Sequence, residues 1–133
     1  MANLLDQALN LQEQALKIHS QRQQLIASNI SNADTPHYKA VDLNFAAALR
    51  RAQTTTSSLA SLQTSAVGHI SSPSKNLFGS QTVYRLASQP SVDGNTVEMD
   101  TERAKFAENT IRYEAAFRFL NGNIKGLLAA IQG

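Results

Sequence analysis

A mainly α-helical chain is predicted, with long N- and C-terminal helices pairing as a coiled coil, a partly irregular middle segment and a small β-hairpin. Three observations lead there. Apolar residues recur every seven positions near both ends, turn-forming residues cluster directly after the first such stretch, and the middle is Ser- and Thr-rich without sustained periodicity.

The first helix is expected over 1–32. Leu4, Leu11, Ile18 and Leu25 stand seven residues apart, and Ala8, Ala15, Arg22 and Asn29 each follow by four. This 4-3 spacing gathers one stripe on a single helix face, weakened at Arg22. Gln7, Gln12, Glu13, Gln14, Lys17, Gln21, Gln23 and Gln24 occupy the other faces. Such amides suit burial among neighbours, where they exchange hydrogen bonds, and they equally suit plain solvation. The helix stops where Asn29, Asn32, Asp34, Thr35 and Pro36 arrive together. Asn and Asp tolerate left-handed backbone and bond their own main chain. Pro36 pushes Thr35 towards an extended conformation, so the chain leaves the helix in a set direction.

Residues 33–94 form a connecting segment. No acidic residue occurs between Leu43 and Val92, where Arg50, Arg51, Lys75 and Arg85 are basic. A short helix is expected from Asn44 to Gln53, because Ala46, Ala47, Ala48 and Leu49 are good helix formers. From 54 to 76 the composition predicts a mobile loop. Thr82–Leu86 and Thr96–Met99 have strand-like content on either side of the turn dipeptide Asp93-Gly94. Together they make the expected two-stranded element.

The last helix is expected within 95–133, capped by Asn95 or Asp100, with Glu98, Asp100 and Glu102 favouring its positive end. Phe106, Tyr113, Leu120 and Leu127 recur every seven residues, and Thr110, Phe117, Ile124 and Ile131 follow each by four. Both terminal seams are too narrow to build a core alone. Paired, they form a helical domain from 1–32 and 95–133. Leu9, Leu16, Ile26, Ile30, Ile111 and Phe119 would still need cover, which points to oligomerisation.

Chemistry is sparse. The 133 residues include neither Cys nor Trp, which removes thiol catalysis, disulfides and thiolate metal sites. His19, His37 and His69 lie in three regions, and no His/Asp/Glu spacing suits a metal. No nucleophile elbow or glycine-rich phosphate loop occurs. Glu98, Asp100 and Glu102 are better read as helix-start acids than as a catalytic pair. A net charge of +2 with dilute basic residues asks for neither nucleic acid nor a membrane surface. No apolar run approaches the roughly 20 residues of a membrane span, and no secretory leader pattern opens the chain. A non-enzymatic protein without cofactor or metal is expected.

Leu25, Asn29, Ile30, Asn32, Ala33, Asp34, Thr35, Pro36, Tyr38, Lys39 and Ala40, in that spacing, closely resemble the N-terminal signature of bacterial flagellar rod, hook and hook-filament junction proteins. Gln21–Leu25, Val41–Phe45, Asp93–Asp100, Glu108-Asn109, Arg112-Tyr113 and Leu120-Asn121-Gly122 extend the likeness to both ends. The family usually carries Gly where this chain has His37. The Ala33–Pro36 turn and the lack of a large middle domain look most like a proximal rod protein. The resemblance implies a structural, axial subunit of the flagellar basal body. Such subunits are exported unfolded through the type III apparatus, without a cleaved signal peptide, and assemble helically into the periplasm-spanning rod. The terminal helices would form the inner tube. Partners implied are copies of itself, the rod-base adaptor FliE, and the proximal rod proteins FlgC and FlgF. Competing readings are another proximal rod protein such as FlgC, or a stand-alone coiled-coil adaptor.

Overall fold

A computed structural model describes residues 2–57 and 82–133. Helix α1 runs over Ala2–Ser31, strand β1 over Val41–Leu43, helix α2 over Phe45–Ser57, strand β2 over Thr82–Tyr84 and helix α3 over Met99–Gln132. The long terminal helices pack together, as the periodicity predicts. They run antiparallel: Asn29 meets Glu102, Gln23 meets Thr110 and Gln12 meets Asn123.

Helix α1 ends where its asparagines compete for the backbone. Asn32 donates to the Ser28 carbonyl from both its N–H (3.1 Å) and its side chain (2.8 Å), closing the last turn. Helix α2 begins at Asn44, whose Oδ1 caps the Ala47 N–H at 3.1 Å. It runs further than expected, through Thr54–Ser57. The Thr54 hydroxyl folds back on the Arg51 carbonyl at 2.9 Å, which lets a Thr stay helical. The rest of the 54–76 loop expectation lies outside the described residues.

The small sheet is present, but its strands are not the two expected. β1 pairs antiparallel with β2, placing Val41 opposite Tyr84, Asp42 opposite Val83 and Leu43 opposite Thr82. Thr96–Glu98 is not a strand. Instead the Thr96 N–H donates to the Tyr38 carbonyl (3.0 Å), and the Ala40 N–H donates to the Thr96 hydroxyl (2.7 Å). A side-chain oxygen stands in for a ladder carbonyl, and the segment then turns into α3.

The cap of α3 also differs. Glu98, not Asn95 or Asp100, holds the N-cap position, and its side chain makes no cap hydrogen bond. Its carboxylate turns back to accept from the N–H and hydroxyl of Ser88 and the N–H of Gln89. The hydrogen bonds from the Ser88 hydroxyl and N–H outweigh the opposing effect of burial and hold it below the usual carboxylate range.

The apolar core is small and lies on α1. Ile18, Leu43 and Ala48 are buried together, with Leu25, Phe45 and Leu49 packed around them. The first heptad stripe is therefore split. Its lower half, Ile18 and Leu25, is covered by α2 and β1, while Leu4 and Leu11 remain 69% and 40% exposed.

Candidate functional site

The helix exit is built around Asn29, which is completely buried. Its Nδ2 donates to the Val41 carbonyl (2.7 Å), and its Oδ1 accepts the Val41 N–H (3.0 Å). One side-chain amide thus pairs with a strand residue as a neighbouring peptide would, and it closes the open edge of β1. The same Oδ1 accepts the Tyr38 hydroxyl (3.2 Å), and Nδ2 also donates to Glu102 Oε2 (3.2 Å).

Beyond Asn29 the backbone makes two turns in succession. The Thr35 N–H donates to the Asn32 carbonyl, and the Thr35 hydroxyl to Asn32 Oδ1. The Tyr38 N–H then returns to the Thr35 carbonyl at 3.3 Å, with Pro36 second and His37 third at φ 60°. Proline followed by a left-handed residue is the type II pattern, which favours Gly at the third position. His37 fills it, and its Nδ1 lies 3.0 Å from where a Cβ on Gly94 would sit. Asp34 and Pro36 are exposed.

The second half of the pattern docks onto the first. Asn95 is buried, and its Nδ2 lies 2.8–3.0 Å from the carbonyls of Asn32, Ala33 and Thr35. All three carbonyls belong to the exit turn just past Ser31, the last residue of α1. Asn95 Oδ1 accepts the Val97 N–H at 2.7 Å. The His37 N–H donates to the Asp93 carbonyl and Lys39 Nζ to the Gly94 carbonyl, each at 3.0 Å. Asn95 is thus a clasp rather than a helix cap, and nothing local in the sequence shows it.

Beside the clasp lies a charge cluster that joins α1, β1 and α3 with Arg85, the residue that follows β2. Arg22 grips Asp42 with two hydrogen bonds, of 2.9 and 3.2 Å. Arg85 and Lys105 approach Asp42 at 3.8 and 3.5 Å. Arg85 Nη2 also forms an ion pair with Glu102 Oε1. Burial alone would raise the Asp42 carboxyl. The Arg22 and Leu43 hydrogen bonds and the charges of Arg22 and Arg85 outweigh it and hold Asp42 below its ordinary value. Glu102 is only 1% exposed. It belongs to the first turn of α3, but its place between Arg85 and Asn29 makes it a buried joint, which corrects its reading as a helix-start acid alone.

The remaining predicted residues lie along the helices. α3 turns Glu102, Asn109 and Ala116 towards the interior, not the row Thr110, Phe117, Ile124 and Ile131. On α1, His19, Gln23 and Ile26 lie on the matching face. The expected meeting of two apolar stripes is therefore replaced, at mid-length, by polar contacts. Leu120 and Leu127 are half-buried. Phe106, Tyr113, Phe117, Ile124 and Ile131 are exposed, Phe117 by 50% and Ile124 by 40%. Ile111, Phe119 and Leu128 add to the open apolar surface.

Among the described residues, no group of three or more His, Asp or Glu could hold a metal, and no helix is long and apolar enough to cross a membrane. What the arrangement offers is a hydrogen-bonded helix exit and two helices with uncovered apolar residues.

The family described as "Flagella basal body rod protein" matches residues 9–39, most of α1 with the exit turn. The flagellar basal body rod protein FlgB of Escherichia coli (strain K12) is 42% identical over 136 residues, covering 99% of this chain and 98% of its own length. FlgB of Salmonella typhimurium is 40% identical, covering 100% of this chain and 99% of its own. FlgB of Cereibacter sphaeroides (strain ATCC 17029 / ATH 2.4.9) is 44% identical over 133 residues, covering 100% and 99%. With that identity over the whole length, and with both halves of the signature meeting in one clasp, the chain belongs to the FlgB family of flagellar basal body rod proteins.

Proposed function

We propose that this rod subunit is held in the proximal rod by the apolar residues its own fold leaves open on the two terminal helices. The observation that carries the proposal is the outward position of Leu4 and Leu11 on α1 and of Phe117, Ile124 and Ile131 on α3. Fully burying a side chain of this kind is worth about 1.5–3 kcal/mol, so a few of them across each subunit contact favour assembly strongly. In this reading 1–32 and 95–133 form the tube-lining helical domain, and 33–94 is the connecting segment.

The signature turn of Asn29, Asn32, Asp34, Thr35, Pro36 and Tyr38 acts through direction. It sets where the chain leaves the tube, and Asn95 holds it there. The subunit reaches the rod through the type III apparatus and carries out no reaction. Its neighbours are copies of itself and other axial proteins, with FliE, FlgC and FlgF the specific candidates. A chain lacking Cys crosses compartments of different redox state without forming disulfides.

The test is complementation of a strain lacking the protein. Leu4→Asp with Leu11→Asp, or Ile124→Asp alone, should give a folded, exported subunit that does not restore motility. Full motility with both variants would refute the proposal.

A further inference from the structure

The face on which α1 and α3 meet is polar at its centre, and Asn109 lies there almost wholly buried. Its Nδ2 donates to the His19 carbonyl (2.9 Å) and to Gln23 Oε1 (2.6 Å), and its Oδ1 faces His19 Nδ1 at 3.1 Å. Because Nδ2 points at a carbonyl, Oδ1 is the acceptor, so His19 Nδ1 carries the hydrogen. Both donors and the acceptor of this amide find partners on α1. His19 is itself held by ring stacking on Phe45 of α2, centroids 4.5 Å apart.

One residue further along α3 runs the row Thr110, Phe117, Ile124 and Ile131, about 100° round the helix. Hydrophobic burial alone would rotate that row onto α1. Apolar side chains tolerate many rotations and registers, whereas a buried amide tolerates only those that keep its partners. Rotation by one residue would strand the Asn109 amide and bury the stripe. A single buried polar residue can set register in a helix pair at some cost in stability.

We infer that Asn109 is a positioning residue: its hydrogen bonds to His19 and Gln23 select the rotation of α3 on α1 and so keep the Phe117–Ile124 stripe turned outward. This concerns the free subunit, and its test does not depend on whether that stripe proves to be the assembly surface.

The chain contains no Cys, so introduced pairs report cleanly. Gln12 and Asn123 touch through their amides at 3.1 Å. Gln12→Cys with Asn123→Cys, joined by a short bis-maleimide, reports the observed rotation, and Gln12→Cys with Ile124→Cys reports the rotated one. In the parent background the 12–123 pair should react within one chain and the 12–124 pair poorly. Adding Asn109→Leu should keep helicity, measured by circular dichroism, but shift the product towards 12–124. Asn109→Ala, which cannot overpack, should lose the preference for 12–123. Unchanged dominance of 12–123 in either folded variant would overturn the inference. Loss of helicity in both would also overturn it, because Asn109 would then be needed for folding itself rather than for choosing a rotation.

Discussion

Replacing Asn29 with Ala should destabilise the isolated subunit by about 2–3 kcal/mol. The side-chain amide serves the N–H and carbonyl of Val41, the Tyr38 hydroxyl and the Glu102 carboxylate, and it is completely buried. Leaving one buried polar group without its partner costs about 1–3 kcal/mol. Three partners are affected, the Val41 peptide, Glu102 and the Tyr38 hydroxyl, which keeps the Ser28 hydroxyl at 3.4 Å. Val41 is half-buried, so water recovers part of its loss, and Glu102 keeps Arg85. Ala is also a better helix former than Asn by roughly 0.6 kcal/mol. The net is large against a total stability of about 5–15 kcal/mol. Urea unfolding followed by far-UV circular dichroism reads it directly. With a slope of about 1–3 kcal/mol per molar, the midpoint should fall by about 0.7–3 M. A fall below about 0.3 M would show that Asn29 is not what joins α1 to β1.

Further outcomes follow from other parts of the same structure. Arg85→Met takes away the charged partner of the buried Glu102 carboxylate, leaving it the Asn29 amide, and should cost about 3–5 kcal/mol; an unchanged urea midpoint would contradict that account. His37→Gly relieves a left-handed non-Gly residue, which ordinarily costs roughly 1–2 kcal/mol. Against the greater freedom of Gly in the unfolded chain, it should raise the melting temperature slightly, and a lower one would refute stored strain at the turn. Burial, with the charges of Arg112 and Arg22, lowers the His19 pKa from its ordinary 6.5 despite the opposing Asn109 hydrogen bond. Between the lowered folded value and 6.5 the unfolded chain binds more protons. Stability is therefore full above pH 6.5 and declines as pH falls towards the folded value, and a His19→Gln variant should show a flatter urea midpoint over that window. Leu25→Asp should unfold the α1–α2 contact, whereas Phe117→Asp, on the open side, should leave the circular dichroism spectrum unchanged; equal spectra for both would contradict the split of the two stripes.

The terminal helices were legible because seven-residue recurrence survives any tertiary context. Which side of each helix turns inward was not. On α3 the pattern of large apolar residues points to Phe117 and Ile124, but the buried residues are Glu102 and Asn109, and such polar side chains look like solvent-facing ones until their partners are known. Asn29, Asn32 and Pro36 announced a turn through local backbone preferences. Asn95, Arg85 and Arg22 could not, because their partners lie between 17 (Arg85 to Glu102) and 63 (Asn95 to Asn32) residues away in sequence. The sheet shows the same limit. Strand content at Thr82–Leu86 was visible, but its pairing with Val41–Leu43 depends on non-local contacts that carry no local signal. Glu102 was hidden by a sufficient local explanation, since an acid in a first helical turn needs no other.

The central claim is that the rod is built through apolar residues which the folded subunit leaves exposed. The most direct measurement is the amount of a Phe117→Asp subunit in purified basal bodies, relative to the parent, by quantitative mass spectrometry in a strain lacking the native protein. The variant should be folded and exported yet nearly absent from the basal bodies. Incorporation at the parental level would contradict the account.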